Sequence, residues 1–435
     1  MKSRQRCWAL LPLLWAGISV AAPFEVLRSQ ESSEHPRLVL APREGARTAT
    51  LVVLFSTGRF DEGGDTGLTR LSQHALLEAN RRGDYGKLTR ELFGADASLE
   101  LFTGLRQSGF VLESNSGDFD RLARQLLETL LAPKLIPSRL EATAERTTQD
   151  PGLTSSEDFL ETRLAIALSE DPRYAAAPPG NPSSAQSISP ETVERHLAGA
   201  FSPRNATVIA AGTFDAVALR RTLARFKGGI PSPVARLQIQ LPVKRQLPAH
   251  SDVNVLAFPV KLTTASESAA LRVVGPVLRR RMEQRFRTMG VGYAQDASPL
   301  LTPWMDALVL TLPASDPSAL DLGPYLLQEV AEVREGRVTA DEFAAAQGAA
   351  LTRLRLEDQH PRAVALTLAG SLQTPAWYSA EVEHSLSSLS PEGLARLVEP
   401  WLREDRLVHL LFSPRALSPP PRKTFNNAGT RSRRR

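Results

Sequence analysis

The chain has 435 residues, 42% of them hydrophobic and 23% charged; this is a globular composition at a length that exceeds one compact core, so two to four domains are expected. The pI is 9.5, but three of the 52 Lys and Arg residues fall in 1–21 and six in 417–435, which leaves 43 against 47 Asp and Glu; so balanced a body gives no basis for nucleic-acid binding. The single cysteine, Cys7, precedes the first apolar run, so the rest of the chain offers no disulfide, thiolate ligand or cysteine nucleophile.

Lys2, Arg4 and Arg6 lead into the apolar run Trp8–Val20, and Ser19–Ala21 supplies small residues for cleavage before Ala22. Residues 1–21 therefore read as an export signal. The run falls short of the roughly 20 apolar residues of a membrane span, and an uncleaved anchor is the other reading. Thr48–Gly58 reads as a strand, followed by the acid-containing loop "FDEGGDTGL" and a helix opening at Thr66. Helix, strand and strand follow through "LTRELFGADASLELFTGLRQSGFVLESN". The next helix has Asp118 near its start and Leu122, Leu126 and Leu130 on one face. One long helical stretch is expected over about 137–167, then an exposed loop, "SEDPRYAAAPPGNPSSAQS".

The chain then repeats itself. Ile188–Gly212 and Leu389–Ser413 both open with Ser-Pro-Glu, which supplies an N-cap, a proline at the first helical position and an acid in the first turn. Val193, Leu197 and Phe201 match Leu394, Val398 and Leu402 at helical spacing, and each copy ends in an apolar, strand-like run. A second strand–helix pair starts at 252–260, so the halves read as duplicated domains. Between them, 229–250 is rich in Gly and Pro and reads as a linker. The expected organisation is a signal (1–21), a first domain (22–228), the linker, a second domain (251–416) and a disordered basic tail (417–435). Both domains mix helices and strands, an α+β class.

From about Val39 to Pro414 the order of elements resembles the insulinase/pitrilysin family of inverted-zincin metallopeptidases. The resemblance is carried by the strand ending at Gly58, its acidic loop and helix, "LFGADASLELFTGLRQSGF", "LLETLLAPKL", "DPRYAAAPPGNPSSAQSISPETVERHLAGAFSPRNATVIAAGTFD" and "FRTMGVGYAQDAS". It implies two homologous α/β roll domains of the insulinase/mitochondrial processing peptidase type. It also implies His-x-x-Glu-His on the first helix, whose two histidines hold zinc while the glutamate acts as general base, and a third, glutamate ligand about 76 residues later. Here the first histidine position is Arg70, the glutamate position is Gln73, and only His74 remains. The third position falls on Asp150 or, by a one-residue slip, Gln149.

These replacements change the chemistry. A guanidinium offers no lone pair, and at about 4 Å it repels a divalent cation by roughly 8 kcal/mol at an effective dielectric of about 20. An amide takes no proton. Glu78 lies four residues after His74, so His74, Glu78 and Asp150 form an alternative ligand set one turn along the helix; the other reading makes His74 a polar helix residue, and Arg70 could pair with Asp150 or Glu78.

In two-chain members of the family the non-zinc subunit contributes an arginine and a tyrosine to the substrate. In "RRRMEQRFRTMGVGYAQ" the tyrosine matches Tyr293, whereas the arginine position is Phe286, flanked by Arg285 and Arg287; the plain alternative is a solvated basic helix face. No nucleophile elbow, Walker loop or dinucleotide loop occurs. The resemblance thus implies an exported, periplasmic pseudopeptidase subunit that pairs with a homologous zinc-bearing subunit and helps bind peptide. No cofactor is expected in that case. The other readings are an active zinc endopeptidase with rearranged ligands and a stand-alone peptide-binding or assembly protein.

Overall fold

The computed structural model describes residues 27–28, 36–81, 85–149, 156–168, 186–228, 240–248, 252–290, 294–302, 304–313, 322–372, 374–378 and 381–413. The expected signal (1–21), the basic tail, most of the loop after residue 168, residues 229–239, Asp150 and Tyr293 lie outside them. The first half contains β1 (Leu27–Arg28), β2 (Arg37–Pro42), β3 (Thr48–Phe55), α1 (Leu68–Glu78), α2 (Tyr85–Gly94), β4 (Ser98–Thr103), β5 (Ser108–Asn115), α3 (Ser116–Leu131), α4 (Pro137–Gln149), α5 (Ser156–Leu168), α6 (Pro190–Ala200), β6 (Ala206–Gly212) and α7 (Ala216–Leu223). The second contains β7 (Val243–Pro248), β8 (Val253–Val260), α8 (Ala265–Met289), β9 (Asp296–Leu301), β10 (Asp306–Pro313), α9 (Gly323–Arg334), α10 (Ala340–Glu357), α11 (Pro361–Gly370), α12 (Glu381–Ser388), α13 (Pro391–Val398) and β11 (Val408–Ser413).

The class is α+β, built as two α/β rolls. The sheets run β1-β2-β6-β3-β5-β4 and β7-β11-β8-β10-β9; β2 pairs parallel with β6, and β7 parallel with β11. Both copies of the repeated unit form as their sequence dictates. Ser189 Oγ accepts from Thr192 N and Ser390 Oγ from Gly393 N, each opening a helix with proline in its first turn. Val193, Leu197 and Phe201 are buried, as are Leu394, Val398 and Leu402.

The central strands are apolar on both faces, and each face has its own cover. Leu51, Val53 and Phe55 of β3 pack with α1 and α3 through Leu71, Leu76, Leu122 and Leu126. Val52 and Leu54 point the other way and meet Val364, Ala365 and Leu368 of α11. The second sheet repeats this: Leu256 and Phe258 pack with Val273 and Val277 of α8, whereas Val255 and Ala257 meet Leu164, Ala165 and Leu168 of α5. Each half therefore lends a helix to the outer face of the other half's sheet. In α8, Gly275 permits a close approach, because a Cβ there would stand 2.8 Å from the Ala297 carbonyl oxygen of β9.

The structure bears on two sequence expectations. The stretch expected as one helix over 137–167 is described as two elements, α4 to Gln149 and α5 from Ser156, with 150–155 outside the described residues; α5 serves the second sheet. Residues 243–248, read as linker, form the edge strand β7, held along β11 from Val243↔Val408 to Pro248↔Ser413.

Leu368→Ala, which opens a cavity beneath α11, is expected to lower the unfolding free energy by about 2–5 kcal/mol. Hydrogen exchange should rise in the first sheet although the mutated helix belongs to the second half; a rise confined to the second half contradicts the exchanged packing.

Candidate functional site

The first-half site is built on α1. Gly67, at φ 92°, turns the chain into the helix. The Glu62 carboxylate accepts from Gly67 N at 2.8 Å and Thr69 N at 3.0 Å, capping the helix from the acidic loop. Burial pushes the Glu62 carboxyl above its ordinary value, despite those two bonds and the Arg59 charge. Every other α1 residue is buried, so Arg70, His74 and Glu78 make one half-buried stripe at i, i+4 and i+8.

Gln73, which the resemblance would align with a general base, points into the sheet and is 0% exposed. Its Nε2 donates to the carbonyl oxygens of Phe102 and Gly109, both at 3.0 Å, and its Oε1 accepts from Thr103 Oγ1 at 2.5 Å. The amide thereby clips the β4–β5 hairpin. A carboxylate has no hydrogen to offer those two carbonyls, so an ionised glutamate does not fit the same conformation.

His74 Nδ1 lies 3.3 Å from Glu78 Oε1. Glu78 Oε2 accepts from Arg146 Nε of α4 at 2.8 Å and from a second guanidinium nitrogen of the same residue. The Glu78 side chain is 9% exposed. Its burial pushes the carboxyl up, but the hydrogen bonds and charges of His74 and Arg146 outweigh this and hold it below the ordinary value. Both oxygens are thus engaged, and a cation binding Glu78 has to displace an arginine.

The structure therefore brings His74 and Glu78 together and keeps Gln73 apart from them. Asp150 lies outside the described residues, and Gln149 closes α4. Among the described residues no three His, Cys, Asp or Glu side chains are grouped to hold a metal. Among the described residues His74 and Glu78 supply two side chains, where catalytic zinc takes three protein ligands and an open position. The ion pair on Glu78 comes from Arg146, which the sequence reading passed over. No spacing signal pointed to it, because Arg146 and Glu78 lie 68 residues apart in the chain.

In the second half, Phe286, at the expected arginine position, is a core residue with no exposure. Arg285 is turned back onto α9: it donates to Glu329 Oε1 at 2.6 Å and Gln328 Oε1 at 2.7 Å, and stacks 5.1 Å from the Tyr325 ring centre. Arg287 is exposed in the last turn of α8.

Gln73→Glu is expected to lower stability by about 3 kcal/mol at neutral pH. An acid placed there has its folded pKa raised, so the deficit grows as pH rises through the carboxylate range; a variant equal to wild type throughout contradicts the clip. The depressed Glu78 pKa works in the opposite sense. Its stabilisation is complete above about pH 4.5 and is lost as pH falls below that value. Glu78→Gln should flatten the acid limb of a Tm–pH profile, and an unchanged limb contradicts the ion pair.

No family model and no curated protein matches the chain. Solved structures do. A protease from Helicobacter pylori superposes with a TM-score of 0.74 at 12% identity, over 90% of this chain and 100% of that one. A peptidase M16 inactive domain from Pseudomonas fluorescens gives 0.68 at 16%, over 90% and 98% of the two chains. The first half of the periplasmic protease PqqL from Escherichia coli gives 0.68 at 14%, over 91% and 93%; of whole PqqL this chain spans 48%. At these identities the likeness is one of fold: the two-roll architecture of M16 peptidase structures, in a chain that spans about half of PqqL.

Proposed function

We propose that this chain is an exported pseudopeptidase subunit of the M16 (insulinase/pitrilysin) type, which pairs with a zinc-bearing homologue and helps hold an extended peptide. The observation that carries this reading is Gln73: the position from which a general base would act is occupied by a buried amide bonded to the sheet. The engagement of Glu78 by Arg146 supports it at the neighbouring position.

β4 stands at the end of the first sheet, next to α1, and pairs with β5 on its other side. An extended peptide adds to such an edge through main-chain hydrogen bonds and needs no metal to do so. The partner is proposed by analogy with whole PqqL, of which this chain matches 48%. Export is read from residues 1–21 and from that neighbour's description as periplasmic. No helix among the described residues is long and apolar enough to cross a membrane. The second reading, a rearranged zinc site, has one observation in its favour, the 3.3 Å approach of His74 to Glu78.

The test uses the purified full chain with a fluorescently labelled unfolded casein. Binding that survives EDTA, without cleavage and without stoichiometric zinc, is the expected result; adding the zinc-bearing homologue should bring cleavage. Stoichiometric zinc with cleavage by the chain alone, abolished by His74→Ala, establishes the rearranged site instead.

A further inference from the structure

The last residue of the β4 edge is held from two directions. Gln73 takes the Thr103 hydroxyl and the Phe102 carbonyl from the α1 side. From the other side, one guanidinium nitrogen of Arg59 donates to the Thr103 carbonyl at 2.9 Å. Arg59 is 8% exposed, and its backbone N–H, with that of Phe60, bonds the next two carbonyls, Gly104 and Leu105. The loop 59–62 and the tip of the β4–β5 hairpin therefore form one hydrogen-bonded block.

That block is tied to α5. The second terminal nitrogen of Arg59 donates to Thr162 Oγ1 at 2.8 Å, in a buried contact. One residue earlier, Glu161 Oε1 accepts from the indole N–H of Trp304, also at 2.8 Å. Trp304 is 3% exposed and stands in the turn between β9 and β10, the hairpin of the second half equivalent to β4–β5. Adjacent residues on a helix point about 100° apart, so 161 and 162 reach two different hairpins from one turn. The apolar side of α5, with Leu164, Ala165 and Leu168, is packed on the second sheet, which leaves the helix little freedom to absorb a shift. α11 braces β4 as well, through Arg362 and Glu100 at 2.6 Å.

We infer that Trp304, Glu161, Thr162 and Arg59 form a strut through which the second half positions the peptide-binding edge of the first. These are positioning residues: their role is to fix where the Thr103 carbonyl sits. The strut joins the two hairpin tips, so a ligand that shifts one edge strand shifts the other. The significance for peptide rests on the reading that β4 is the edge used; the linkage itself does not.

Hydrogen exchange on the full-length protein tests it. Trp304→Phe keeps a ring in place and removes the N–H donor; Thr162→Val keeps the volume and removes the acceptor of the Arg59 bond. Each is expected to raise exchange in the β4–β5 hairpin, residues 98–109, roughly tenfold, while the β8–β10 core stays protected. Should Trp304→Phe act across the halves although labelled unfolded casein does not bind, the strut stands and the peptide reading falls. Faster exchange only around residues 302–305 and α5, with the β4–β5 hairpin unchanged in both variants, overturns the strut whatever casein does. Uniform loss of protection over both sheets overturns it too, since that marks a general packing role.

Discussion

The constraint on which the architecture depends is that each central sheet is apolar on both faces. A strand such as Thr48–Phe55, with every residue after the first buried, is stable only if something covers the second face. The chain solves this by exchange: α11 lies on the first sheet and α5 on the second. At about 25 cal/mol per Å² of apolar surface, these contacts are worth far more than any surface ion pair. The two rolls are consequently one unit, and the site on α1 is set within a frame that both halves build.

Inside that frame the helices beside the two sheets are tied by cross-helix ion pairs of opposite polarity. In the first half the acid is on the sheet-packed helix and the base on its neighbour, as Glu78 and Arg146. In the second the base is on α8 and the acid on α10: Arg281 meets Glu342 at 2.9 Å, with Glu332 and Glu329 close by. The Arg281 hydrogen bond, against a smaller opposing effect of burial, holds the Glu342 carboxyl at about 2. On this pattern the His74–Glu78–Arg146 group sits where an interhelical brace is required. Similarly, Arg285, to which the resemblance gives a place at the substrate, is engaged in bracing α8 against α9.

What could be read from the sequence was whatever is set locally. The Ser-Pro-Glu caps, the Leu122, Leu126 and Leu130 stripe and the repeat of helix and strand were legible because spacing of 3.6 residues and cap chemistry act within a few residues. Arg70 and Gln73 stood out only against the family resemblance, which implies a histidine and a glutamate at those positions. What required three dimensions was partnership over long separations. β7 reads as a polar, Pro-flanked connector because its order comes from β11, more than 160 residues away. An apolar face on both sides of β3 announces a cover but does not say that α11 supplies it. The acceptors of Gln73, at residues 102, 103 and 109, belong to a hairpin whose approach to α1 no periodicity encodes.

The Gln73 clip also bears on which residues the position tolerates. With Nε2 and Oε1 both taken up by the hairpin, an acidic side chain there meets two carbonyl oxygens with no hydrogen to offer them. Selection on stability alone is therefore enough to keep an amide at this place, whatever the chain grips or cuts.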